Sequence, residues 1–580
     1  MGLRDLGRRL KAARRGERPP SPPLADDGAC APPLPDLEER LARVAAKAPL
    51  FHESLTRLDP YQLSAVLTEE PVVSVRAQVG SGKTTVLAHK VIWMHRVEGI
   101  PLSDMAVLTF TRKAAGEMAD RVRELCGDVQ PGDFRYFGTF HAVAAALLRQ
   151  EGAGAASGRS PRFSILDEAE RLALLEDLVE REGLSIKYRA RLAMRMQALA
   201  AGRPRVGAMR STDDIAILEE RYEEEKRRRD LFDFDDLIVW ATKAVEEGAG
   251  FRPRWVAVDE FQDCDPTQLA QLRAFMGGGA AGDDEDRKLF VVGDPHQLVY
   301  AFRGGDARIF EDLEADFGAR VFHLPFNYRS TDVILLASRA VLGGRCGRLT
   351  GTRTEGERIR LLRHHDPTQE ALYLARRLGR FSAEERGRTA VLFRKREQAL
   401  PIAEALESAS IPHTVLDDGD PSTDAVRLLT LHASKGLEFD TVFLVGINDG
   451  LVPLASSFRD AEAEAEEQRL LFVGMTRARD RLEVSYLADP RDFGARPEKS
   501  RFLDLIPPGL LEEDAPEGGE SLSVSGPARG ACVQHPRYGR GRVVEVEDST
   551  IRVAFDLHGM KTFSLAFGNA GLEPVAADEG

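Results

Sequence analysis

The stretch PVVSVRAQVGSGKTT, residues 71 to 85, decides the fold. A run of strand-forming residues feeds directly into a glycine-punctuated turn and then into a segment of helical composition. Gly80 and Gly82 leave room for backbone N–H groups to wrap phosphate oxygens, Lys83 reaches the outer phosphates, and Thr84 is placed to hold magnesium. Ser81 and Thr85 complete the candidate nucleotide-binding set. A phosphate loop between a strand and a helix implies a parallel α/β sheet. By itself it does not separate a kinase from a transporter or a helicase.

A second stretch, VAVDEFQD at residues 256 to 263, narrows the choice. Asp259 at the end of an apolar strand suits a second magnesium ligand, and Glu260 beside it is placed to orient and deprotonate an attacking water. Adjacent acids at a strand end are often only solvated turn residues. Following a phosphate loop in the same chain, they read as the catalytic pair of a nucleotide hydrolase.

Outward from these two stretches, short apolar runs (MAVLTF, RWVAVDE, KLFVVGD, TAVLFR, TVFLVGI) alternate with longer helical segments. That alternation marks parallel sheets with crossover helices, and two such sheets are expected. At 580 residues with 43% hydrophobic content, the chain is long enough for about three or four domains. Residues 1–36 read as a basic, Pro-rich arm, 37–320 as a first core with a charged helical insertion at about 165–230, and 321–511 as a second core. A linker at 512–527 leads to a β-rich tail at 528–580, where Val533, Val543, Val553 and Phe555 read as core and Gly539 and Gly541 as a turn. The five cysteines lie far apart with no CxxC pair, which argues against a zinc site or a disulfide framework and favours a cytoplasmic location. No stretch approaches the roughly 20 consecutive apolar residues of a membrane span. The net charge of −14 argues only mildly against a nucleic-acid partner, because the local sign along a groove decides phosphate binding.

Taken in order, these and further motifs resemble the UvrD/Rep/PcrA family of superfamily 1 helicases, from Leu58 to the C-terminus. The resemblance implies two RecA-like P-loop cores, ATP and Mg2+ as cofactors, single-stranded DNA and single-strand/duplex junctions as partners, 3′-to-5′ movement, and work in DNA repair or replication. LDPYQLSAV, 58–66, is similar to the adenine-reading motif, with Gln62 as reader. TFTRKAAGEM, 109–118, and GTFHA, 138–142, resemble DNA-contacting motifs, which offers Phe110, Thr111 and His141 to the track. DFDDL, 233–237, resembles the segment ahead of the catalytic strand. VVGDPHQLVYAFRG, 291–304, resembles the motif coupling ATP to DNA, with Gln297 sensing phosphate and Tyr300, Phe302 and Arg303 on the DNA. NYRS, 327–330, would bring Tyr328 to the adenine and Arg329 to the γ-phosphate.

The second core contributes TLHASKGLEFDTVFL, 430–444, which implies DNA contacts from Thr430 and His432 and a ribose contact from Glu438. QRLLFVGMTRARDRL, 468–482, resembles the last motif, with Arg477 as arginine finger, a group worth roughly 10³ to 10⁵ in rate. Glu260, Gln297, Arg329 and Arg477 are thus the implied catalytic set. Aromatics that stack on bases bind any sequence, which suits a stepping motor. Phe110, Tyr300 and Phe302 could each instead be core residues.

Several positions depart from the family pattern. Gln78 stands for a usual Gly, Thr85 for an Arg that stacks on adenine, Arg112 for an Asn, and Phe302 for a Trp. Loss of the Arg at 85 is expected to relax base selectivity. The largest departure is an absence. After residues 389–416, where the family inserts a helical subdomain, this chain passes through DDGDPSTDA directly into VRLLTLHASKG. A trimmed motor follows, which keeps translocation but lacks the part that regulates unwinding. The tail, 529–575, resembles the Tudor-like barrel that binds RNA polymerase in the family, which favours partner binding over a barrel that only stabilises the C-terminus. A reading of a different class is an ATP-gated RNA polymerase-binding factor with little unwinding of its own.

Overall fold

The computed structural model describes residues 32–127, 129–150, 152–186, 214–277, 287–299, 308–343, 349–415, 424–490, 493–514, 527–535, 538–546, 550–556, 558–564 and 572–575. The basic arm up to residue 31, most of the 512–527 linker, and Tyr300, Phe302 and Arg303 lie outside the described residues.

The first sheet has six parallel strands: β1 (Val72–Ala77), β2 (Met105–Thr109), β3 (Phe137–Thr139), β4 (Trp255–Val258), β5 (Lys288–Gly293) and β6 (Arg320–Leu324). Their spatial order is β3-β2-β4-β5-β1-β6. β2 and β4 are buried at every position, as expected of parallel strands covered on both faces. Alternate side chains serve the two faces. Met105, Val107, Trp255 and Ala257 join one core under the helices Pro60–Leu67 and Lys83–Arg96, while Ala106, Leu108, Val256 and Val258 join the other under Phe140–Leu148, Phe234–Glu246 and Pro266–Phe275. The sheet runs past residue 320, the expected core boundary, because β6 pairs with β1 from Val73↔Arg320 to Ala77↔Leu324.

A second, seven-stranded parallel sheet follows: β7 (Ile359–His364), β8 (Thr389–Phe393), β9 (His413–Val415), β10 (Val426–Thr430), β11 (Phe439–Leu444), β12 (Ala478–Leu487) and β13 (Leu511–Asp514). Its order is β9-β10-β8-β11-β12-β7-β13. Val79 of the phosphate loop and Val299 are buried in this second core's cluster, among Val333, Leu444 and Leu482.

Within the first core, the helices Glu168–Arg181 and Ile215–Arg228 pack through Leu174, Leu175, Leu178, Leu218 and Tyr222. Ser164–Ile165 pairs with Leu231–Phe232 and closes their base. The DFDDL segment anchors them. Lys226, 1% exposed, places its Nζ 3.1 Å from Asp233 and 2.7 Å from Asp236, and Tyr222 donates to Asp233 at 3.0 Å. Residues 187–213 between the two helices lie outside the described residues.

The tail is a five-stranded antiparallel sheet, β14 (Cys532–His535), β15 (Gly539–Val546), β16 (Thr550–Phe555), β17 (Gly559–Ser564) and β18 (Glu573–Pro574), in the order β17-β16-β15-β14-β18. Val533, Val543, Val553 and Phe555 are buried together with Ile551 and Leu572. Gly539 has φ 75° and opens β15 just after the turn, whereas Gly541 lies inside that strand. A Cβ there would sit 2.7 Å from Cδ1 of Phe555, so close packing rather than a turn requires the second glycine.

One buried acid gives a pH test of the second core. Glu370, 3% exposed on helix Pro367–Gly379, accepts from the Gly446 N–H at 3.0 Å and the Ser485 hydroxyl at 2.6 Å, and burial pushes its pKa up to about 7. A folded-state pKa above the unfolded value means that the native state holds the proton longer, so stability falls as pH rises from about 4.5 to 7. Glu370→Gln is expected to remove that fall. Thermal melts of both proteins at pH 5 and pH 8 would show it, with the variant gaining only at the higher pH.

Candidate functional site

Because the first sheet is parallel, all its carboxyl ends lie on one edge, and each delivers a motif there. β1 ends in the phosphate loop, β2 leads into Phe110 and Thr111, β3 into His141, β4 into Asp259 and Glu260, and β5 into Asp294 and Gln297. β4 and β1 are separated only by β5, which sets the acidic pair beside the loop.

Gly80 and Gly82 adopt φ 64° and 81°. A Cβ on Gly80 would lie 2.5 Å from Nδ2 of Asn327, and one on Gly82 would lie 2.8 Å from Nε2 of Gln62, so both positions require glycine. Gln62 donates to the Ser81 carbonyl at 2.9 Å while its Oε1 accepts from Asp59 N–H, which ties the helix Pro60–Leu67 to the loop. Lys83 and Thr84 occupy the first turn of helix Lys83–Arg96, where aligned peptide dipoles favour an anion. Thr85 accepts from Arg121 at 3.4 Å.

Lys83 Nζ sits 2.7 Å from Glu260 Oε2. Burial works against the lysine's charge, but Glu260, Asp294 and Asp259 outweigh it and hold its pKa up. Burial also works against charge on Glu260, yet Lys83 and Lys435 bring that carboxyl well below its usual range. Asp259 goes the other way, raised by burial and by the negative Glu260 next to it. Glu260 has φ 49°, a left-handed conformation rare outside glycine, and its carboxylate accepts from Gln262 at 2.6 Å. Gln262 Oε1 in turn accepts the Asp294 N–H at 2.9 Å, and Asp294 accepts from Gln297 at 2.7 Å. A single chain of hydrogen bonds thus joins the proposed base to the proposed sensor.

The second core closes this site from the opposite side. Arg477, 1% exposed, donates to Gln297 Oε1 at 3.2 Å, and burial with Arg329 nearby lowers its pKa to about 9. Arg329 pairs with Glu438. Tyr328, 41% exposed, donates to Asp59 at 2.6 Å, beside the Gln62 helix. Asn327 donates to the Val79 carbonyl at 2.7 Å and accepts the N–H groups of Arg329 and Ser330, both at 2.8 Å.

Three further residues gather here to which the motifs assign no role: Lys435, Asp263 and Phe234. Lys435 Nζ lies 2.7 and 2.6 Å from the two Asp263 oxygens and donates to the Gln297 carbonyl at 2.7 Å. This is a buried pair across the cleft, 8% and 1% exposed, and removing one partner of such a pair typically costs about 3–5 kcal/mol. Phe234, 40% exposed, sets its ring edge-on to His141 with centroids 5.5 Å apart. All three residues lie in quoted motifs, but a sequence separation of 172 between Lys435 and Asp263 left no local signal of the pairing.

Of the remaining DNA candidates, Phe110 is half-buried at the end of β2, and Thr111 caps the helix Arg112–Cys126 by accepting from Ala114 N–H. Thr430 ends β10 with its hydroxyl accepting Ala433 N–H at 3.1 Å, and half-buried His432 follows two residues later. The segment from Thr430 to Glu438 therefore carries DNA candidates at one end and the ribose candidate at the other, with Lys435 between them.

The glycine cradle, the lysine at its helix terminus and the buried Ser81 hydroxyl and Arg329 Nε, which have no hydrogen-bond partner among the described residues, fit a nucleotide triphosphate. Thr84 and Asp259 are the side chains that would hold its magnesium. Among the described residues, no three His, Cys, Asp or Glu side chains converge as a metal cage.

The fold and site define a P-loop NTPase in which two parallel-sheet cores meet across the phosphate loop. The UvrD/REP helicase N-terminal domain matches residues 58–318, and the UvrD-like helicase C-terminal domain matches 322–420 and 418–489. The chain belongs to the UvrD/REP helicase family. It is 26% identical to DNA helicase II of Escherichia coli over 90% of this chain and 99% of that protein, and 28% identical to the ATP-dependent DNA helicase UvrD2 of Mycobacterium tuberculosis over 79% and 83%. It is 34% identical to the ATP-dependent DNA helicase UvrD1 of Mycobacterium leprae over 51% of this chain, a match that spans 40% of that relative's length. The alignment to DNA helicase II runs to 731 residues, longer than this chain, so a large segment of that relative faces a gap here. The C-terminal family domain is matched in two pieces that meet at 418–420, inside the short DDGDPSTDA connection.

Gly82→Ala tests the cradle. An alanine held at this φ is expected to cost roughly 1–3 kcal/mol, and where the free loop relaxes out of the cradle conformation that cost weakens nucleotide binding by about five- to 150-fold. Titration with a fluorescent nucleotide measures this directly.

Proposed function

We propose that the protein is an ATP-dependent DNA helicase whose motor steps along single-stranded DNA from 3′ to 5′ in repair or replication, in the cytoplasm. The single observation that carries this reading is the cross-cleft placement of Arg477 on Gln297, opposite Lys83 and Glu260. Base and phosphate loop stand on one core and the arginines on the other, so hydrolysis depends on cleft closure. Closure also moves the segment carrying Thr430 and His432 against the one carrying Phe110, Thr111 and His141. Tyr300, Phe302 and Arg303, three to six residues beyond Gln297 in sequence, are proposed to contact the same DNA.

Bound ATP would supply the phosphoanhydride and Mg2+ the neutralising charge on its β- and γ-oxygens. Lys83 would then turn from Glu260 to the outer phosphates, and Thr84 and Asp259 are the residues that would hold the ion. Glu260, released from Lys83, accepts the proton of the attacking water. Arg329 and Arg477 stabilise charge on the γ-phosphoryl oxygens, while Gln62, Tyr328 and Glu438 hold base and ribose. With no inserted subdomain where the two family-domain pieces meet at 418–420, translocation is expected to be the robust activity. Unwinding is expected to be strongest at single-strand/duplex junctions offering a 3′ tail.

Steady-state ATP hydrolysis with and without single-stranded DNA tests the reading, with Glu260→Gln as the blank. Strong stimulation is expected in the wild type, and loss of turnover with retained nucleotide binding in the variant. Absence of stimulation would refute the motor, and normal turnover by Glu260→Gln would refute the assigned base. Arg477→Ala is expected to lower kcat by about 10³-fold with little change in KM.

A further inference from the structure

The segment from Thr350 to Gly356 takes no part in the site described above, yet it lies along the NYRS segment for its whole length. Thr350–Gly351 pairs in parallel with Phe326–Asn327. Thr352 donates to the Asn327 carbonyl from both its N–H and its hydroxyl, each at 3.0 Å. Further on, the carbonyls of Thr354 and Glu355 accept the N–H groups of Asp332 and Val333 at 3.2 and 2.9 Å. These N–H groups open the helix Asp332–Val341, whose Ncap Thr331 makes no side-chain cap, so the strap satisfies donors that a helix start leaves unpaired. The approach is close enough that Gly351 abuts Asp332 and Gly356, at φ 83°, abuts Thr331, with no room for a Cβ at either position.

At the centre of this strap stands Arg353. Its Nη1 donates to the carbonyl of Arg329 at 2.6 Å and to that of Arg479 at 3.1 Å, and its Nη2 lies 2.6 Å from Asp480 Oδ1. The two carbonyls belong to the two segments that carry the phosphate-facing arginines. Those segments also meet through Ser330 Oγ donating to Ala478 O at 2.6 Å, Thr331 N–H to Arg479 O at 3.1 Å, and Arg329 Nη1 to Thr476 O at 3.4 Å. Two guanidinium groups that must converge on one phosphate repel each other before it arrives. A planar fork with several donors is suited to pinning two backbone strands at once, which an ammonium does poorly.

We propose that Arg353 is a positioning residue for the Arg329/Arg477 pair, fixing the backbone of Arg329 against the strand that begins just after Arg477, at Arg479, so that both guanidiniums meet the γ-phosphate as one unit. The proposal rests on the reading of Arg329 and Arg477 as γ-phosphate contacts. The contacts of the Arg353 guanidinium are to two backbone carbonyls and to Asp480, so its effect is expected in the transition state and not in ground-state nucleotide binding.

The test uses the full chain with saturating single-stranded DNA, measuring kcat, KM for ATP, and affinity for ADP alone and for ADP with aluminium fluoride as the transition-state probe. Arg353→Ala is expected to lower kcat by about ten- to a hundred-fold, to leave KM and ADP affinity near wild type, and to weaken ADP–aluminium fluoride in proportion to kcat. Arg353→Lys should recover part of the loss by keeping one carbonyl contact. Asp480→Asn should give a smaller shift in the same direction, and it serves if Arg353→Ala does not fold. Unchanged kcat overturns the proposal, as does equal weakening of ADP and ADP–aluminium fluoride, which would mark a purely structural role. If Arg477→Ala leaves aluminium fluoride binding unchanged, the underlying reading of the arginines fails instead.

Discussion

Parallel pairing of the first six strands is the constraint on which the rest depends. It forces every strand of that sheet to end on the same edge, so residues drawn from five separate stretches between Gly80 and Gln297 meet there without any local sequence relation between them. The same pairing buries both faces and makes the strands read as continuous apolar runs. Mechanically, the rigid sheet fixes the strand ends, and the loops after them are free to carry chemistry.

Charge in the cleft is balanced by exchange of partners. Lys83 pairs with Glu260, Lys435 with Asp263, and Arg329 with Glu438. Two of these acids, Glu260 and Glu438, have another task in the proposed cycle, while Asp263 serves to compensate Lys435 across the cleft. An incoming triphosphate brings its own negative charge and releases those acids, Glu260 above all. Arg477 differs, since its direct partners are the neutral Gln297 and backbone carbonyls. Its burial among neutral groups, with Arg329 close by, keeps its pKa low and leaves it the side chain with most to gain from an arriving phosphate.

The two cores are joined at the level of the backbone as well as by charge. Asn327 and Tyr328 bond directly to the phosphate loop, and Ser330 and Thr331 bond to the strand that begins just after Arg477. The NYRS segment is therefore the contact through which the loop and the arginines share one geometry. The Thr350–Gly356 strap lies outside this contact and holds it in place.

The sequence by itself determined the two parallel sheets, the phosphate loop, the acidic strand end and the core of the tail. Each of these is written in local periodicity, in adjacent acids, or in glycines whose left-handed conformation most side chains disfavour. Gly541 shows the limit of such reading, because a glycine in a hairpin pattern signals a turn and a close packing contact alike, and only Phe555 lying against it tells them apart. Tertiary structure alone decided that Lys435 reaches Asp263, that Phe234 meets His141 and that Arg353 spans Arg329 and Arg479. Those contacts join side chains to partners far away along the chain, and nothing in a charge's immediate neighbours specifies which distant carbonyl or carboxylate it will find once the sheets have folded.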